Sequence, residues 1–199
     1  MVADMKAIAE FAEKISSKMV ERGIVQEEDV SLYRYGIENG IVVAGNLMAS
    51  VILGVLTGRL GVVLVFLLFY STLRSYSGGV HCKSRSVCFI LSMLILLVPI
   101  FSYEWVMGIV AFPVLIAVGV IAIVVILILS PVESINKRLD DEERKFYRRI
   151  SHCIVALQGC VLAFLYGMDI LDYFYAGYSS LILVAVFMIL GKISAKHYT

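Results

Sequence analysis

The chain has 199 residues, 60% of them hydrophobic, with a formal net charge of +1. Its mean hydropathy of +0.91 excludes an ordinary soluble domain, in which apolar residues including glycine make up roughly 45–50%. The bilayer is the expected solvent, and no nucleic-acid partner is expected.

Residues 1–22 scatter Asp4, Lys6, Glu10, Glu13, Lys14, Lys18 and Glu21 among apolar residues, without the hydrophobic core of a cleavable signal. Ile8, Phe11, Ala12, Ile15, Met19 and Val20 recur at helical spacing. That pattern predicts an amphipathic helix lying on the membrane, with packing against the cytosolic loops as the alternative. Uncharged runs near or above about 18 residues then predict six spans, at 36–56, 57–73, 87–103, 105–130, 150–168 and 173–191. The expected fold class is all-α. It is a polytopic membrane protein, a single domain over 1–199 with a cytosolic amphipathic segment at 1–30 and a transmembrane bundle at 36–191.

Of the 17 Lys and Arg residues, all but Arg59 fall on one side of these spans. The positive-inside bias therefore predicts a multi-pass cell-membrane protein with both termini and the second–third and fourth–fifth loops in the cytoplasm. The outer connections are short and carry Arg59, Glu104, Asp169 and Asp172. Pro99 and Pro113 fall inside predicted spans, where a missing N–H predicts kinks. Gly54 and Gly58 form a small-xxx-small pair able to bring two helices close.

Between spans two and three the chain reads Leu73-Arg74-Ser75-Tyr76-Ser77-Gly78-Gly79-Val80-His81-Cys82-Lys83-Ser84-Arg85-Ser86-Val87-Cys88. Cys88 falls where a helix begins, with Ser84 and Ser86 as possible N-caps. Unpaired first-turn amides, the positive end of the helix dipole and the nearby Lys83 and Arg85 favour a thiolate there. An imidazole beside a thiolate supplies the proton transfers that peptide cleavage needs, and His81 is the available partner. Seven residues of unbroken helix would hold the two about 10 Å apart, so the segment must turn, and Gly78-Gly79 permits a tight backbone.

The same residues allow an inert helix-end cysteine and a loop histidine. Cys82 competes as nucleophile, but adjacency to His81 points the two side chains apart. No second Cys/His pair completes a four-ligand zinc site, so no metal or other cofactor is expected. Cys153 and Cys160, seven apart on the fifth span, read as helix-packing residues. A disulfide is disfavoured on the reducing side of the membrane.

The run from Arg74 to Ser84 followed by Cys88, Tyr35-Gly36-Ile37-Glu38 opening the first span, and Ser130-Pro131-Val132-Glu133-Ser134-Ile135-Asn136-Lys137 closing the fourth resemble the accessory gene regulator protein B family of quorum-sensing peptidases. The resemblance covers nearly the whole chain. It implies a membrane-embedded cysteine endopeptidase that cuts the C-terminal tail from a short AgrD-type propeptide through an acyl-enzyme thioester. An internal cysteine or serine of the propeptide then closes a thiolactone or lactone. By position, Cys88 is the nucleophile and His81 the base. Arg74 and Gly79 match positions the family needs for activity, and Lys137 and Arg138 match its basic loop. Cys82 after the histidine and Arg138 after Asn136-Lys137 depart from the usual pattern. The family and the Gly54/Gly58 pair also suggest a homodimer.

Supporting candidates beside Gly78 are Arg74, as partner of Glu38 or Glu133 or of a substrate carboxylate, and Glu38, Glu133, Asn136 or Ser77 as the group orienting His81. Glu38 has an alternative partner in Arg34, one turn back. The basic residues Lys137, Arg138, Arg144, Lys145, Arg148 and Arg149 fit either a charged substrate tail or anionic lipid and topology. The rival functions are a small membrane transporter, disfavoured by charges confined to span ends, and a membrane thiol oxidoreductase, disfavoured by the wide Cys82–Cys88 spacing.

Overall fold

The computed structural model describes residues 2–79, 85–132 and 140–196. His81, Cys82, Lys83, Glu133, Asn136, Lys137 and Arg138 lie outside the described residues. The described chain is helical: α1 (Val2–Glu21), a 3-10 turn (Glu27–Asp29), α2 (Val30–Leu56), α3 (Leu60–Ser77), α4 (Arg85–Phe101), α5 (Tyr103–Ile109), α6 (Phe112–Leu129), α7 (Asp141–Gly167) and α8 (Leu171–Lys196). Five of these are long and apolar enough to cross a bilayer, and α4 with α5 makes a sixth if that pair, bent by 47°, is one span.

α8 is the central helix, with 61% of its apolar window buried. Small residues let its neighbours approach. A Cβ on Gly177 would stand 2.8 Å from Leu162 and 2.9 Å from Phe69, while Ala176, Ser179 and Ser180 are buried beside it. Close approach over small residues is how helices gain contact where lipid is as apolar as the partner. The hydroxyls return to their own helix, Ser179 to Ala176 O at 3.0 Å and Ser180 to Gly177 O at 2.7 Å. Phe69, Leu73, Ile126, Val155, Leu162, Leu181 and Met188 form the main core among α3, α6, α7 and α8. Phe66, Leu96 and Ile100 extend it toward α4.

Residue chemistry also sets the turns. The α2–α3 turn has Gly58 at φ +66, with Arg59 N donating to Gly54 O at 2.9 Å. The α7–α8 turn has Asp169 at φ 60, with Ile170 N donating to Leu165 O at 2.9 Å. Both are helix ends closed by a left-handed residue, where glycine is favoured and aspartate tolerated. Gly54 is buried, and a Cβ there would lie 3.1 Å from Leu60 Cα, so it serves packing of α2 on α3 within one chain.

Three sequence expectations need correction. The run 105–130 is not one helix: α5 ends at Ile109 and α6 starts at Phe112, with Pro113 in its first turn, where a missing N–H costs nothing. α4 continues through Pro99 and breaks at Ser102, whose hydroxyl reaches Val98 O and Tyr175 Oη, both at 2.6 Å. Arg144, Lys145, Arg148 and Arg149 belong to α7 rather than to a loop, because Asp140 caps that helix by accepting from Glu143 N at 2.7 Å. α1 packs on α2, burying Ala12 and Ser16, while Phe11 is exposed.

Candidate active site

The last turn of α3 carries Arg74, Ser77 and the glycine pair. Gly78 adopts φ +74 and Gly79 φ +127, values that exact a strain cost from any residue with a Cβ. At Gly78 a Cβ would also run into the Val132 backbone carbonyl, whereas at Gly79 it would displace the Arg74 guanidinium, the movable end of a long side chain, and lie 3.1 Å from the Phe187 carbonyl. Arg74 Nη1 donates to Gly78 O, and its guanidinium lies 5.8 Å from the Phe187 ring centroid. Arg74 is therefore folded back over the glycines that follow it.

Gly78 forms an isolated parallel bridge with Val132, and Val132 N donates to Ser77 O at 2.9 Å. This joins the end of α3 to the end of α6, and so two motifs more than fifty positions apart. The peptide between Ser130 and Pro131 is cis. Pro131 has no N–H to give to Leu127, four residues earlier. His152 Nε2 on α7 lies 3.0 Å from that Leu127 carbonyl, and Arg148 Nε donates to Ser130 O at 3.0 Å. Farther along α7, Gln158 Nε2 donates to Phe69 O at 2.9 Å and lies 3.1 Å from Thr72 Oγ1, tying α7 to α3.

Ser77, Ser130 and Ser151 are fully buried, and their hydroxyls have no hydrogen-bond partner among the described residues. Such a group costs about 1–3 kcal/mol. Three on the helices that meet here mark the region as polar rather than optimised for apolar packing.

Cys88 is the fourth residue of α4 and is exposed, as are Val87, Phe89 and Ile90. Its carbonyl accepts from Ser92 Oγ at 2.9 Å. The first-turn amides of a helix have no partner within it. The six steps from Gly79 to Arg85 can span at most about 20 Å of fully extended chain. The start of α4 is thereby tethered near the α3–α6 junction, with His81 on the connecting segment.

Glu38 is buried on α2 and accepts from Arg34 Nε at 3.2 Å, and Arg34 Nη1 lies 3.4 Å from Glu13 Oε2 on α1. The pairing with Arg34 is thus realised. Cys153 and Cys160 are exposed rather than packed between helices, because α7 buries Ser151, Val155, Gln158 and Leu162. Among the described residues, no group of three or more His, Cys, Asp or Glu side chains is placed to hold a metal ion.

Sequence reasoning missed His152, Gln158 and the bonding role of Arg148. A signal existed: Arg148, Ser151, Val155 and Gln158 recur at three- and four-residue intervals, and a glutamine inside an apolar run points to the bundle interior.

Residues 12–191 match the family described as Accessory gene regulator B. No curated protein and no solved structure matches the chain.

Proposed function

We propose that this chain, which belongs to the accessory gene regulator B family and thus to quorum-sensing peptide processing, is a membrane-embedded cysteine endopeptidase with its working end in the cytoplasm. The observation that carries the reading is an exposed thiol in the first turn of α4, tethered by a short segment containing His81 to the glycine junction between α3 and α6.

Cys88 Sγ, as thiolate, attacks the carbonyl carbon at the junction between the propeptide's signal and its tail. His81, having taken the thiol proton, gives it to the departing amine, and the tail leaves with a free amino group. The signal remains as a thioester on Cys88. A thiol or hydroxyl within the propeptide then attacks that thioester. Its proton returns to Cys88, and a cyclic thiolactone or lactone is released.

A peptide bond is exchanged for a thioester without a nucleotide, and the chain has no GxxxxGK[ST] phosphate-binding loop. Removal of the released tail pulls the reaction forward. Arg74 and Gly79 support this chemistry by setting the path of the chain into the His81 segment. Ser77, Glu133 and Asn136 are the candidates for orienting the imidazole, with Glu38 paired to Arg34, and Lys137 and Arg138 are those for receiving the propeptide tail.

The test is turnover of a synthetic AgrD-type propeptide by the full chain in liposomes, with intact-mass analysis of the protein. Cys88→Ala should abolish cleavage and Cys82→Ala should retain it, with an acyl adduct on Cys88. Equal dependence on both cysteines would replace this reading with a dithiol oxidoreductase. Cyclic product at full yield in excess tail peptide would refute the thermodynamic account.

A further inference from the structure

Four carbonyls at the end of the bundle that carries the glycine pair are met, among the described residues, by donors outside the ordinary helical ladder. Ser77 O receives Val132 N, Gly78 O receives Arg74, Leu127 O receives His152, and Ser130 O receives Arg148. The last two contacts have a common cause. Pro131 deprives Leu127 of its i+4 donor, and Ser130 lies just past the end of α6, so the terminus presents open acceptors with partial negative charge. Arg148 and His152 are one turn apart on α7 and answer both acceptors. Arg144, one turn earlier, is instead placed 3.8 Å from Asp141 within its own helix.

We infer that Arg148 and His152 are positioning residues, a clamp from α7 that fixes the end of α6 and thereby the path of the chain into the His81 segment. The mechanical route is short. α7 holds Leu127 and Ser130, Val132 two residues later holds Ser77, and Gly78-Gly79 lead directly into residues 80–84. Because a carbonyl only accepts, the His152 imidazole carries its proton on Nε2 in this arrangement. Arg148 is thereby separated from the other basic residues of α7: its Nε serves a backbone carbonyl, whatever the remaining cations do for a substrate tail. The catalytic consequence rests on the cysteine-peptidase reading, whereas the clamp does not.

The experiment measures amide hydrogen exchange over segments 74–79 and 127–132 in the full chain, alongside kcat and KM for a synthetic AgrD-type propeptide. Losing one of these bonds in His152→Phe or Arg148→Gln should accelerate exchange in both segments by about 3- to 10-fold. It should lower kcat by about tenfold, with KM nearly unchanged, through misplacement of the histidine segment. His152→Gln, which keeps a donor, should recover much of both, and a thermal midpoint close to wild type checks that each variant folds. Unaltered exchange in both segments overturns the clamp. A raised KM with unaltered kcat and exchange also overturns it, and returns Arg148 to substrate binding. If exchange responds while the wild-type chain shows no Cys88-dependent cleavage, the clamp stands and the peptidase reading falls.

Discussion

The two ends of the bundle are held together by different kinds of bond. At the end carrying Gly78 and Val132, backbone groups are cross-linked between helices, and side chains of α7 reach carbonyls that Pro131 and the α6 terminus leave open. At the other end Arg59 is the hub. Its guanidinium lies 3.6 Å from Glu104 and 3.5 Å from Asp172, and it sits 5.8 Å from the Tyr103 ring centroid. These are contacts between partly exposed side chains, bordering an open cavity of about 600 Å³. Exposed ion pairs tie loops together without fixing a chain path, because their net worth is only about 0–1 kcal/mol. Backbone cross-links constrain φ and ψ directly, and here they fix the chain at Gly78 and Val132.

The sharpest way to break this contrast is Gly79→Ala. A Cβ there meets the Arg74 guanidinium in a backbone conformation that disfavours it, so propeptide cleavage should fall by roughly a hundredfold, measured as kcat/KM in liposomes. Wild-type activity in that variant would show that the glycine junction does not set the site. Gln158→Leu removes the donor to Phe69 O and Thr72 while keeping the volume apolar. Unfolding in detergent should show a loss of about 1 kcal/mol, the size of interhelical hydrogen bonds in membranes. Arg59→Gln should leave cleavage intact and cost no more than about 1 kcal/mol; a tenfold fall in turnover would mean the Arg59 ion pairs are coupled to the chemistry. The smallest change is expected from Asp169→Gly. A left-handed helix-end position suits glycine, so the shift should stay within about 1 kcal/mol, read from the thermal midpoint.

Much of the fold was legible in the chain itself. Uncharged runs announced most of the helices. Gly78-Gly79 read correctly as a place of tight backbone, because no other residue type tolerates it at so little cost. Pro113 misled, since the same missing N–H that kinks a helix interior is harmless in a first turn, and only the position of the α5–α6 break distinguishes the two. Cys153 and Cys160 misled for a related reason: seven-residue spacing shows that two residues share a face, not whether that face is turned inward.

Local chemistry along the sequence was thus enough to fix the all-α membrane class and the positions of most apolar helices, but not the break between α5 and α6. Tertiary structure alone decided which distant segments meet. Nothing in the spacing of Ser77 and Val132, or of Leu127 and His152, brings their backbone and side-chain groups within hydrogen-bonding distance. That juxtaposition arises because α3, α6 and α7 pack together with α8 in one core, so that orphaned carbonyls at two helix ends find donors on a neighbour rather than in their own chain direction.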